Sequence, residues 1–255
     1  MLMQAGRQAT AIWREIPQGS AENERLLFER LAQDMMHVQL KTRRCSKAAG
    51  IQRAFHAKPI FASIDATLRF NDDLPADFRA GFAQPGKSYP AIVRFSNANG
   101  SGQADYKPDL RGVALRVKVS DQEQHDLLAT NFPVSHARDA TQFVAFAKAT
   151  AGGTVGKIVG LAGLAFRFGP AEVIRMLGNI SKGRKRKVRS VALETYWSRG
   201  AIRWGETLAV RYLLRPVPSA APAPDPSTTD ANYLSNEFAA RLATGDIRFE
   251  LCLQP

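Results

Sequence analysis

Two periodicities divide this chain. Leu27, Leu31, Met35 and Val38 recur at spacings of three and four, which predicts an amphipathic helix over 20–40. Ser20 is its expected N-cap, and Glu22 and Glu24 fall in the positive first turn. From Ile64 the period drops to two. Ile64, Ala66, Leu68 and Phe70 alternate with Asp65, Thr67 and Arg69, as in a half-buried strand. Asn71-Asp72-Asp73 and Pro75 mark a turn. Further strands are predicted at Tyr89 to Phe95, Val113 to Val119, Asp126 to Phe132, Leu208 to Leu214 and Ile247 to Leu253. Helical spacing returns at Ala140 to Thr150, with Phe143, Phe146 and Ala147 on one face and Gly152-Gly153 behind. Ala171 to Ile180 and Asn232 to Ala243 also read as helices, and Pro216 to Pro226 as a loop. Alternating strands interrupted by helices predict an α+β fold, an antiparallel β-barrel with appended helices. The expected division is a helical arm over 1–45 and a barrel domain over 46–255.

Composition narrows the class. The 255 residues carry a formal net charge of +12. That charge suits either a basic soluble enzyme or a polyanionic partner. Its densest point is Ser181-Lys182-Gly183-Arg184-Lys185-Arg186-Lys187-Val188-Arg189. No aromatic residue interleaves with this run and no nucleic-acid fold signature accompanies it. Fatty-acid carboxylates and anionic lipid surfaces match it equally well. Cys45 and Cys252 are the only cysteines and form no metal-finger spacing. Met1 to Arg7 has no signal-peptide core, and Ile158 to Phe166, bounded by Lys157 and Arg167, is too short to span a bilayer. These features predict a cytoplasmic protein.

Four histidines occur. His37 and His125 read as surface or satisfied side chains, and His136 is not expected to be a ligand. His56 differs through its context: Arg53-Ala54-Phe55-His56-Ala57-Lys58, then Tyr89-Pro90-Ala91-Ile92-Val93-Arg94-Phe95-Ser96-Asn97, Pro108-Asp109-Leu110-Arg111-Gly112, Asn131-Phe132-Pro133-Val134 and Arg138-Asp139. Taken in order, these segments resemble the haem catalase superfamily, especially its small catalase-related peroxidase branch. The resemblance covers roughly residues 50 to 150.

The resemblance implies a haem b oxidoreductase acting on hydrogen peroxide or on organic or fatty-acid hydroperoxides. It makes His56 the acid/base, Asn131 the polar positioner and Ser96 the group that orients the imidazole. It makes Arg53 and Arg94 the propionate anchors and sets Phe55 and Phe143 beside the porphyrin. Asp109 and Arg111 match a structural turn, and Arg138 and Asp139 match the start of the helix that follows the Asn131 segment. The family's iron ligand is a tyrosinate on a C-terminal helix. No tyrosine here matches it, so the ligand is expected beyond Pro255 and the barrel is expected to be cut short. Two alternatives stand beside this reading: an inactive relative without the iron ligand, and a basic polyanion-binding module. A homo-oligomer is compatible with the sequence.

Overall fold

The computed structural model describes residues 14, 16–46, 53–100, 102–151, 153–206, 208–218 and 222–255. Met1 to Arg7, Gly152 and part of the 216–226 loop lie outside them, as does the side chain of Cys45. Cys252 is a free thiol.

Helix α1 (Ala21–Ser46) is followed by strands β1 (Pro59–Arg69), β2 (Ser88–Asn97), β3 (Arg111–Lys118) and β4 (Gln124–Thr130). Three helices come next: α2 (Ala140–Thr150), α3 (Thr154–Phe168) and α4 (Pro170–Arg184). The chain then returns to the sheet through β5 (Tyr196–Ser198), β6 (Ile202–Trp204) and β7 (Leu208–Pro216), before α5 (Tyr233–Thr244) and β8 (Phe249–Gln254). Each expected strand and helix is present. β1 begins earlier, at Pro59, and α1 runs longer, to Ser46. Helix α3 and the short strands β5 and β6 went unread in the sequence.

All ladders are antiparallel, in the order β1-β2-β3-β4-β5-β7-β6 with β8 on β7. The expected barrel is therefore corrected to an open sheet, because no ladder among the described residues joins β1 to the far strands. The sheet curls instead. Leu68 and Phe70 pack with Trp204, Leu208 and Val210 in one apolar cluster, so the first strand meets β6 and β7 through side chains alone. A larger core gathers Phe95, Val113, Leu127, Tyr196 and Tyr212 under α5, whose Phe238 stacks on Phe61 at 4.3 Å. Asp139 caps α2 by accepting from Gln142 N at 2.7 Å. Helix α1 packs on α2 through Val38, Ala147 and Ala151, with Lys148 paired to Asp34 at 2.7 Å.

Candidate active site

Strands β2, β3, β4 and β5 build the site by their register. Ser96 pairs with Gly112, Gly112 with Thr130, and Thr130 with Trp197. Residues directly opposed in an antiparallel ladder share a face, so these four form one row across the sheet. The His56 ring lies on that row. Its Nδ1 is 3.0 Å from Ser96 Oγ. A Cβ built on Gly112 would stand 2.3 Å from its Cε1. Glycine at 112 is thus what lets the imidazole approach the strand.

His56 is the only non-glycine residue with positive φ among the described residues, at 55°. The left-handed conformation costs an L-residue about 1–2 kcal/mol. Two hydrogen bonds hold it: His56 N–H donates to Ala98 O at 3.0 Å, and Arg94 Nη2 donates to His56 O at 2.6 Å. Burial, and then the positive charges of Arg94, Arg53 and Arg199, lower the imidazole pKa from 6.5 to about 4. The ring is therefore neutral at physiological pH.

Arg94 and Arg199 are half-buried and Arg53 is exposed. Arg199 Nη1 donates to Thr130 Oγ1 at 2.8 Å and to Phe132 O at 3.2 Å. Among the described residues none of these three guanidiniums has a carboxylate partner. Burial is the main cause that lowers the pKa of both Arg94 and Arg199, followed by a second guanidinium beside each.

Asn131 is placed differently from the expectation. It follows Thr130, and successive residues of an extended segment face opposite sides. Its side chain is fully buried. Its Oδ1 accepts from Arg111 N at 2.8 Å and its Nδ2 donates to Glu194 Oε2 at 3.0 Å. Arg111 in turn donates to Asn97 Oδ1 at 2.6 Å and Asp105 O at 2.8 Å. The structure brings together His56, Ser96 and Arg94, but not Asn131. The polar side chain in the row beyond Gly112 is Thr130, which the sequence did not single out. Asp109 and Arg111 are buried in turn and strand bonding, and Arg138 pairs with Glu172 at 2.8 Å.

Aromatic rings continue from the histidine. Phe55 meets Phe143 edge-on at 5.5 Å, and Phe143 meets His136 at 5.3 Å. His136 also touches Phe146 at 5.0 Å. Burial, then Arg199 and Arg175, lower its pKa to about 4 as well. The basic run is partly absorbed into the fold. Arg184 donates to Pro108 O, Arg186 bonds Asn131 O and Glu194, and Arg189 pairs with Asp225.

A family model described as Catalase matches residues 29–154. A catalase-related peroxidase of Mycolicibacterium paratuberculosis (strain ATCC BAA-968 / K-10) is 31% identical over 182 residues, covering 66% of this chain and 55% of that protein. These matches support membership of the catalase superfamily. Catalase HPII of Mycobacterium avium is 39% identical over 75 residues, 28% of this chain and 10% of that one. Catalase A from Saccharomyces cerevisiae superposes with a TM-score of 0.60 at 17% identity, covering 97% of this chain and 51% of the yeast chain. A bacterial catalase gives 0.58 at 18% identity, covering 86% and 45%. The last two likenesses concern the fold alone. The chain spans about half the length of the catalase-related peroxidase and of the yeast and bacterial catalases.

Superfamily membership implies haem, and one face of the site suits it. Three guanidiniums without an acid are a donor set for two propionates. The iron-ligating requirement is not met by the tyrosines of this chain. Tyr89, Tyr196 and Tyr233 donate to the carbonyls of Phe82, Val191 and Val188, and Tyr212 bonds Leu128 through both N–H and C=O. Burial pushes the Tyr196 phenol well above its ordinary pKa, away from the phenolate form. Tyr106 is exposed.

Proposed function

We propose that this chain forms the peroxide-facing half of a haem b oxidoreductase site for hydrogen peroxide or organic and fatty-acid hydroperoxides. The observation that carries the reading is a neutral imidazole lying against Gly112 and Ser96 and near three guanidiniums that have no acid partner among the described residues. Arg94 and Arg53 would hold the propionates, with Arg199 as a further cation. Phe55 and Phe143 would pack against the ring edge. Haem, when bound, supplies the oxidising chemistry. An iron ligand would have to come from a group other than the tyrosines present here.

The protein's own part is proton movement. With Nδ1–H donating to Ser96 Oγ, Nε2 is left bare. It takes a proton from one peroxide oxygen and returns it to the leaving oxygen. The low pKa keeps this base unprotonated at neutral pH. Thr130 Oγ1, bonded by Arg199, is the polar group available to position the peroxide.

The test is titration of haem b into the full chain, with and without imidazole as an added axial ligand. A stoichiometric complex with a shifted Soret band and peroxide consumption is expected. His56→Gln should keep the band and lose turnover by about 10²–10⁴-fold. Arg94→Gln should weaken haem uptake. Free-haem behaviour under both conditions, or normal turnover by His56→Gln, overturns the reading.

A further inference from the structure

Helix α3 is apolar on both sides. Leu161, Leu164, Ala165 and Phe168 face the protein, where they pack with Phe146 and Met176. The opposite side carries Val155, Ile158, Val159, Ala162 and Phe166, at spacings of three, four and seven. These five occupy an arc of about 100° on a helical wheel. They are exposed: Val155 75%, Ile158 65%, Val159 67% and Phe166 97%. A helix apolar all round is normally covered on both sides, and among the described residues nothing covers this one. Helix α4 continues the apolar surface with Ile174, 70% exposed, and Leu177.

The charge of the same segment identifies the cover. Residues 154–189 hold nine Lys or Arg and a single acid, Glu172. Glu172 is already bonded to Arg138 and Arg175. Lys157, Arg167, Lys182, Lys185 and Lys187 are exposed and form no ion pair among the described residues. An exposed apolar stripe of aliphatic residues and phenylalanine, in a segment whose unpaired charges among the described residues are all positive, is the composition of a helix that lies in a lipid headgroup layer. A protein partner would have to supply both a large apolar patch and several acids. An anionic bilayer supplies both at once.

We infer that α3, with the basic end of α4, docks this chain on the surface of an anionic membrane, the outer stripe of α3 entering the headgroup layer without spanning it. No described helix is long and apolar enough to cross a bilayer. This inference does not rest on haem.

Flotation of the full chain with phosphatidylcholine vesicles, with and without phosphatidylglycerol, tests it. Binding is expected only with phosphatidylglycerol and should fall as salt rises. Val159→Ser with Phe166→Ser, both at exposed positions, should reduce the bound fraction about tenfold or more. Lys182→Ser with Lys185→Ser should reduce it by a similar factor. Circular dichroism of each variant should match the parent. Failure of the parent chain to float with anionic vesicles overturns the inference, as does floating that the α3 variant leaves unchanged. Sedimentation of the protein alone gives the competing outcome. A dimer that the α3 variant abolishes, without vesicle binding, would assign the stripe to a second copy instead.

Discussion

The surroundings of the His56 imidazole make distinct predictions at single residues. Gly112 gives it room, since a Cβ there would stand 2.3 Å from its Cε1. Gly112→Ala should fold, because alanine is tolerated in a strand, yet displace the ring and lower peroxide turnover about 10²-fold or more. Haem-loaded turnover beside circular dichroism checks this. The cations and burial around the ring set its titration. The unfolded histidine titrates near 6.5 and the folded one at about 4. Between these values the unfolded chain binds more protons, so stability falls as pH drops from 6.5 to 4 and is flat above. The loss reaches about 3 kcal/mol for His56, and His136 adds a loss of the same sign. Urea unfolding across this range should show the slope, and His56→Gln with His136→Gln should flatten it. Thr130 and Asn131 divide along the same lines. Thr130→Val should lower turnover with little effect on stability. Asn131→Leu should cost about 2–4 kcal/mol in urea unfolding, because it strands the Arg111 amide and Glu194. His56, Ser96 and Arg94 were legible from their motifs. Thr130 was not, because only the ladder register shows which of two adjacent polar residues faces the histidine.

Among the elements, the alternating strands declared themselves because each buries one face. Val113, Leu115 and Val117, for example, alternate within β3. Helix α3 did not. Its apolar residues follow no single face, and Gly156, Gly160 and Gly163 lower its helical propensity. Gly160 has a packing reason, since a Cβ there would meet the Ala149 backbone at 2.4 Å. Strands β5 and β6, of three residues each, are too short to show a period. Helix α5 is held to β1 by the Phe61–Phe238 stack and to the 105 turn by Leu234 N–H donating to Asp105 Oδ2 at 3.2 Å. Phe238→Ala should therefore cost about 3–5 kcal/mol, read as a lower urea midpoint. His56 itself should keep its depressed pKa in that variant, as followed by NMR.

At the scale of the molecule, the expected closed barrel required a ladder that no sequence period encodes. The curl of the sheet is achieved by side chains, with Phe70 and Leu68 against Trp204 and Val210. Pairing order is a property of long-range register, so an open and a closed sheet share the same alternating pattern. The sheet also separates two kinds of work by its two faces. One face carries His56, Ser96, Gly112 and Thr130; the other carries the buried network of Asn97, Arg111, Asn131 and Glu194. Codons 130 and 131 are contiguous, yet a genetic screen would sort them apart. Lesions at the first would surface among clones with normal abundance and lost chemistry, and lesions at the second among clones whose protein is cleared before it can act.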